Sequence, residues 1–261
     1  ARLLHDGRKH YRFARRPYMP VEFSAAAYRL GHSMVRQVYS FNRVFSEAGA
    51  GPSASFDLLF RFTGLSGDIH GERAADNPAG SNPVPVLPSN WIIDWRRFHE
   101  LDRPSDVPFN LSRKLDPLLV NALHNLPNED GEDAILAFRN LKRGVLFGLP
   151  SGQDVARHLG ETPLTPSEVA SGKAGDAARD TGLHEATPLW FYILKEAEHH
   201  HDGRRLGPVG ATIVSEVLVG LVHGHIESYL YQAGKDWTPT LPAKTPGSFT
   251  MADLLRFVDD I

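Results

Sequence analysis

Apolar residues recur at helical spacing along most of the chain, and the clearest case runs from Pro20 to Val35. One face of this stretch follows the i, i+3, i+4 rule for a buried helix side; it consists of Phe23, Ala26, Ala27, Leu30 and Met34. A second apolar row lies beside it and consists of Ala25, Tyr28, His32, Val35 and Tyr39. The polar stripe that remains is narrow, so the pattern predicts one buried helix with His32 among apolar neighbours.

The same periodicity predicts further helices, and hence an all-α fold. They are expected over 91–98, 112–126, 132–143, 151–160, 187–198, 209–222 and 250–258, with helix starts capped at Ser151, Thr165 and Thr250. The two tryptophans in 91–98 are expected to anchor the core. Residues 66–90 are rich in Gly, Pro, Asn and Ser and are predicted to form a loop or boundary within one domain over 1–261.

Composition and charge narrow the function classes. With 261 residues and 41% apolar content, the chain can bury a large core. A net charge of −3 does not favour nucleic-acid binding, and the absence of cysteine excludes disulfides and thiolate metal sites. The longest apolar run, 209–222, is shorter than the ~20 residues that span a bilayer. No apolar leader is visible, so we expect a soluble chain without a transmembrane segment and leave its compartment open.

His32 is the residue with the greatest chemical interest. A lone histidine on a buried helix is usually a hydrogen-bonded core residue. A histidine on a dry wall, with Arg29 one turn earlier and Gly31 leaving room beside it, also suits a haem ligand. The run His199–His201 does not predict a metal site, because three adjacent residues on a helix cannot face one ion.

Two motifs carry a resemblance to the animal-type haem peroxidase superfamily. Tyr28-Arg29-Leu30-Gly31-His32 is similar to its proximal-histidine motif, aromatic-Arg-x-Gly-His. Asn140-Leu-Lys-Arg143-Gly144, followed by Gly148-Leu-Pro150, resembles its Asn-x-x-Arg-Gly…Gly-Leu-Pro signature. The resemblance implies that His32 ligates the iron of haem b. It also implies that Asn140 accepts the proton on Nδ1 of that imidazole and that Arg29 and Arg143 hold the propionates.

The function that this resemblance implies is reduction of hydrogen peroxide with oxidation of a halide or small organic donor. In that superfamily the distal histidine and arginine lie upstream of the proximal helix, and residues 1–19 match neither motif. We therefore expect this chain to correspond to the C-terminal, proximal half of a peroxidase domain, with no catalytic residue of its own. An upstream segment or a second chain would complete the haem pocket. Val145-Leu-Phe147 departs from the Arg-Asp-His of vertebrate members.

Two alternatives stay open at this point. The chain could be a non-catalytic helical module that binds haem or a protein partner. A fatty-acid dioxygenase is less favoured, because that branch uses a tyrosine three positions before the proximal histidine. Arg29 occupies that position here, and Tyr28 lies one residue too early.

Overall fold

The computed structural model describes residues 9–13, 16–47, 49, 54–56, 92–101, 108–127, 129–233 and 240–258. The prediction of an all-α fold is confirmed, since helices dominate and the described ranges hold one β-pair of two residues per strand. The predicted loop over 66–90 lies outside the described residues. Two compact units are distinguished: Ala1–Val35 with Arg113–Trp237, and Arg36–Ser112 with Thr238–Ile261. A single domain over 1–261 stays a prediction.

The first unit is built from helices. It begins with a π-helical turn, Glu22–Ala26, a 3₁₀ segment, Ala27–Leu30, and α1, Gly31–Met34. Two more 3₁₀ segments, Asn121–His124 and Gly131–Ala134, precede the longer helices. These are α2 (Leu136–Leu146), α3 (Gly152–Leu159), α4 (Pro166–Val169), α5 (Gly175–Asp180), α6 (Leu189–His201), α7 (Pro208–Gly224) and α8 (Tyr229–Gln232).

Helix α6 forms the centre of this unit. Its residues from Leu189 to Ala197 are all buried, so it is surrounded on every side. The 3₁₀ segment Ala27–Leu30 and helices α2, α3 and α7 pack against it. Such a helix is apolar around its whole circumference, apart from Lys195 and Glu196, whose charges need partners inside the protein.

Glu196 ties α6 to the beginning of α7. Its Oε2 accepts hydrogen bonds from the backbone N–H groups of Val209 at 2.9 Å and Gly210 at 3.3 Å. Gly207 is required here, because a Cβ at that position would lie 2.3 Å from Cγ of Glu196. Burial raises the pKa of Glu196 to about 7, although the two amide donors oppose that shift. The other carboxylate oxygen, Oε1, has no partner among the described residues.

The stretch 20–35 is helical, but it does not form the single regular helix that the sequence predicts. Ala26, at φ −128° and ψ −73°, separates the π-turn from the 3₁₀ segment. Alanine imposes no side-chain restriction on such a change of winding. A π-turn holds more residues than an α-turn, so it displaces the positions that follow from the predicted faces. Tyr28 is consequently 59% exposed, whereas Ser33, predicted for the polar stripe, is buried and donates to the Leu30 carbonyl.

The predicted helix over 112–126 is also wrong. Only Asn121–His124 is helical there, in a 3₁₀ segment. Pro117 disfavours helical geometry at Asp116 and supplies no N–H of its own. The Asp116 carboxylate instead accepts the N–H of Leu118 at 2.9 Å, which closes a local turn.

Local capping signals predicted several helices correctly. Ser151 caps α3, which ends at Gly160 with φ +77°. Thr165 and Glu168 form a reciprocal capping box at the start of α4. Helix α7 spans the predicted run 209–222, but it is buried on one side only, with Leu218 41% exposed.

The second unit contains β1 (Val38–Tyr39), β2 (Ala54–Ser55), a 3₁₀ segment Trp95–Arg97 and α9 (Met251–Phe257). The strands are antiparallel, with Val38 opposite Ser55. Thr250 caps α9 as predicted. The predicted helix over 91–98 shrinks to its 3₁₀ segment, and Trp91 lies outside the described residues. Trp95 is 39% exposed, which corrects its prediction as a core anchor.

Arg97, two residues after Trp95, takes the buried position. It is 4% exposed, donates to the hydroxyl of Ser40 at 2.7 Å and pairs with Asp94 at 3.2 Å. Across the described ranges no helix combines the length and the apolar character needed to cross a membrane.

The buried carboxyl of Glu196 predicts that stability falls as the pH rises. Its pKa in the folded state, about 7, exceeds the ordinary value of 4.5, so the folded protein binds the additional proton between these two values. The free energy of unfolding should therefore decrease from pH 4.5 to about pH 7, with the full penalty present above that range. Glu196→Gln keeps a carbonyl for the two amides and carries no charge. At pH 8 we expect it to be more stable than the parent by up to about 3 kcal/mol.

Urea unfolding at pH 5, 6, 7 and 8 measures this difference. Glu132→Gln, a change at an exposed carboxylate, serves as the matched control and should keep the pH slope of the parent. The same slope in Glu196→Gln as in the parent would show that Glu196 is ionised in the folded protein throughout.

Candidate functional site

The structure brings His32 and Asn140 together from positions 108 residues apart. Nδ1 of the His32 ring lies 3.1 Å from Nδ2 of the Asn140 amide. His32 is half-buried in α1, and Asn140 is 1% exposed in the middle of α2. Since α2 and the helical stretch before α1 both pack on α6, the core of the unit determines this contact.

Arg29 lies on the other side of the same amide. Its Nη1 is 3.5 Å from Oδ1 of Asn140, and its Nε donates to the carbonyl of Ser24 at 3.1 Å. Its pKa is lowered by burial and, further, by the positive charges of Arg143 and Arg139. Two further guanidinium groups, both from α2, therefore lie near enough to Arg29 for their charges to act on it.

Only one of these three cations has a carboxylate partner in the part of the chain that the structure describes. Arg139 pairs with Glu129 at 3.0 Å. Neither Arg29 nor Arg143 has an acidic group of the described residues within ion-pair distance. Arg29, which acts on the His32 imidazole, and Arg143, which acts on Arg29, thus carry positive charges that no described carboxylate compensates. Two such charges suit an anionic group with two acidic substituents.

The surroundings of the His32 imidazole favour its neutral form. Burial lowers its pKa, and the positive charge of Arg29 lowers it further. A neutral ring is required of a metal ligand, because the coordinating nitrogen must carry a lone pair. The electrostatics around His32 therefore fit the donor expected of a haem ligand.

The orientation of the amide determines which ring nitrogen carries the proton. An amide nitrogen can only donate, so Nδ1 of His32 accepts from Asn140 and the proton resides on Nε2. Coordination through Nε2 needs the opposite arrangement, with the Asn140 oxygen facing a protonated Nδ1. A half-turn of the Asn140 amide exchanges its two atoms. It would give up only the contact between Oδ1 and Arg29, which at 3.5 Å is at the outer limit of a hydrogen bond.

The end of α2 differs from the prediction. Gly144 does not end the helix, which continues to Leu146, and the chain turns at Gly148 with φ +60°. Val145, Leu146 and Phe147 are 82%, 73% and 53% exposed, so three apolar side chains face solvent just beyond Arg143. Sequence reasoning also missed Arg139 as a member of the arginine group, although its spacing of four from Arg143 places both on one side of α2.

The described fold is helical and peroxidase-like. Among solved structures, peroxidase A from Dictyostelium discoideum is similar to this chain, with a TM-score of 0.51 and 17% sequence identity. The likeness covers 85% of this chain and 40% of that one, so the chain spans less than half the length of this neighbour. No protein-family profile and no curated protein matches the sequence. Within the described ranges, no three or more His, Asp or Glu side chains come together as a metal-binding group.

The roles of His32, Arg29, Asn140 and Arg143 toward a cofactor remain predictions. What the structure establishes is their placement. His32, Asn140 and Arg29 are in direct contact as a group, and Arg143 acts on Arg29 through its charge.

The amide orientation predicts the tautomer of His32 in the cofactor-free protein. We expect the proton on Nε2 at a pH where the ring is neutral, because Nδ1 accepts from Asn140. His184 provides an internal reference for a protonated Nδ1, since that atom lies 3.1 Å from the Ala178 carbonyl and must donate; its Nε2 lies 3.3 Å from a carboxylate oxygen of Glu185. Long-range ¹⁵N–¹H correlation spectra distinguish the two tautomers. In Asn140→Asp the carboxylate can only accept, so His32 should adopt the His184 pattern; an Nδ1–H pattern already in the parent would contradict the orientation described.

Proposed function

We propose that this chain forms the proximal side of a haem peroxidase-like domain and binds haem b through His32. The observation that carries the proposal is the contact of 3.1 Å between His32 Nδ1 and the Asn140 side chain. The two residues come from separate motifs that are far apart in the sequence. A hydrogen-bonded partner on the second ring nitrogen is what orients a ligating imidazole.

The two uncompensated arginines support a haem in particular. Haem b carries two propionates, and Arg29 and Arg143 supply two positive charges without carboxylate partners among the described residues. A bare metal ion would instead need several protein ligands around it, and it would be repelled by two adjacent cations. The donor set thus favours a flat, dianionic cofactor with its own equatorial ligands.

The reaction proposed for the complete protein is reduction of hydrogen peroxide, with oxidation of a halide or small organic donor. When bound, haem supplies the redox-active iron for this chemistry. The residues of this chain hold and orient the imidazole, keep it neutral and balance the charge of the propionates. Proton transfer on the peroxide side requires a base and a cation that we do not assign to this chain. They would come from an upstream segment or from a second chain.

Two alternative functions are compatible with the same site. A non-catalytic haem-binding module needs the same proximal contacts, and the proposal assigns no peroxide-side residue to these 261 positions. Peroxide-dependent oxidation of a phenolic donor by this chain alone would exclude that alternative. A fatty-acid dioxygenase is less supported, because Arg29 binds the Ser24 carbonyl at the position where that branch has its tyrosine.

Replacing His32 should abolish haem coordination. We expect the parent chain to develop a sharp Soret band on titration with haemin and His32→Ala to lose it, because His32 is the ligand that the proposal assigns to the iron. His124→Ala, which alters an exposed histidine of the same unit, is the control and should behave as the parent. Recovery of the band in His32→Gly with added imidazole would assign the loss to the ligand rather than to folding. An unchanged band in His32→Ala would refute the proposal.

Replacing Asn140 should lower the affinity for haem and change the reduction potential of the bound iron without abolishing haem binding. Loss of a ligand's hydrogen-bond partner generally costs about 10–100-fold in affinity, and we expect a loss of that size for Asn140→Ala. Asn140→Asp should make the imidazole more basic and lower the reduction potential of the bound iron relative to the parent. Spectroelectrochemistry measures both variants. Equal reduction potentials with Asn, Ala and Asp at position 140 would show that Asn140 is not part of the haem site.

A further inference from the structure

A cavity lies in the first unit, lined by none of the four residues assigned above. It is a cleft of about 290 Å³ between residues 10–11, Tyr18, Pro20, the start of the π-turn, α3 and α7. Its apolar wall includes Tyr11, Val155, Ile213 and Val217. Tyr11, Val155 and Val217 are buried, so the apolar wall belongs to the core of the unit. A volume of this size suits a small organic molecule rather than a macromolecule.

One side of the cleft is held in place by a carboxylate of α7. Glu216 accepts hydrogen bonds from the backbone N–H groups of Lys9, His10 and Tyr11 at 2.9, 2.8 and 2.8 Å. The Tyr11 hydroxyl in turn donates to the carbonyl of Tyr18 and accepts its N–H. The segment therefore has a fixed position over α7, and the bonding capacity of Glu216 is largely used inside the protein.

Three further polar side chains of the cleft are not used in this way. His10 and His158 approach each other across it, with ring centroids 6.4 Å apart, and Glu22 lines the same space. Within the described ranges their side chains make no hydrogen bond or ion pair with another residue. Each therefore has capacity for a ligand, and all three offer acceptor atoms when the histidines are neutral.

The charges of the cleft are one-sided. Among the described residues, its lining contains the carboxylates of Glu22 and Glu216 and neither lysine nor arginine. Arg157, next to His158 in the sequence, is paired with Asp154 at 2.7 Å. An anionic ligand would meet carboxylates without a compensating cation, whereas a cation would meet one carboxylate, two imidazoles and aromatic faces.

We propose that this cleft binds a small organic cation, an ammonium group on a compact apolar body. The ammonium would donate to the carboxylate of Glu22 and to a ring nitrogen of His10 or His158. The apolar body would occupy the space against Tyr11, Val155 and Val217. A metal ion would use the histidines but would leave the apolar wall without a function. The proposal is independent of haem binding at His32.

Titration with 2-phenylethylamine, followed by amide chemical shifts, tests the proposal on the full chain. We expect saturable shifts of Lys9, His10 and Tyr11 and of the residues around His158. Phenylethanol, which has the same body without charge, and phenylacetate, which carries the opposite charge, should bind at least tenfold more weakly. Glu22→Gln should weaken binding of the amine about tenfold, the size expected for one charge-assisted hydrogen bond. Glu132→Gln, outside the cleft, should leave the affinity unchanged.

Two further measurements make the outcome decisive. The double variant His10→Ala, His158→Ala should weaken amine binding, and a circular-dichroism melt verifies that each variant is folded. Equal binding of amine, alcohol and acid, or an unchanged affinity in Glu22→Gln, would overturn the proposal. So would the absence of shifts with the amine. Binding of Zn²⁺ alone, dependent on the two histidines and insensitive to Glu22, would identify a metal site instead.

Discussion

The burial of Leu189–Ala197 in helix α6 is the constraint on which the first unit depends. Nine consecutive buried residues require neighbours on every side, and the surrounding helices supply them. Because α2 and the Ala27–Leu30 segment are both among these neighbours, their separation is determined by core packing. The approach of His32 to Asn140 is thus a consequence of how α6 is covered, not of any attraction between the two side chains.

Buried carboxylates connect this core to the outer segments. Glu196 on α6 binds the amides at the start of α7, and Glu216 on α7 binds three amides of residues 9–11. Burial alone would raise the pKa of Glu216, but these three donors hold it below the ordinary value. Glu196 has only two donors and deeper burial, and its pKa moves the other way. The deeper burial of Glu196 and the additional amide donor of Glu216 together account for the opposite shifts.

The sequence was informative where the signal is local. Ser151, Thr165 and Thr250 cap their helices as predicted, because a cap needs only a side chain and the next turn of backbone. The apolar run that became α6 was equally clear, since no polar face interrupts it before the end of the helix. The motifs around His32 and Asn140 also predicted that these two distant segments lie together.

The failures arise where tertiary packing overrides periodicity. Spacing alone placed Tyr28 inside and Ser33 outside, yet the winding change at Ala26 reverses both. Trp95 was expected in the interior, but Arg97 is buried instead, because Asp94 and Ser40 bind its guanidinium group. A motif also could not predict that Arg29 and Arg143 lack carboxylate partners among the described residues. This depends on which acidic side chains lie near them in the folded protein.

The irregular winding of residues 22–30 determines the direction in which the His32 imidazole points from the helix axis. One residue corresponds to about 100° of rotation on an α-helix. If the wide turn at Glu22–Ala26 tightened to regular geometry, every later side chain in the stretch would swing round the axis by an amount of that order. The histidine would then point away from the amide that it now meets. Three small alanines, which lack any group that could recognise a ligand, thus lie at the change of winding that determines the direction of the His32 side chain.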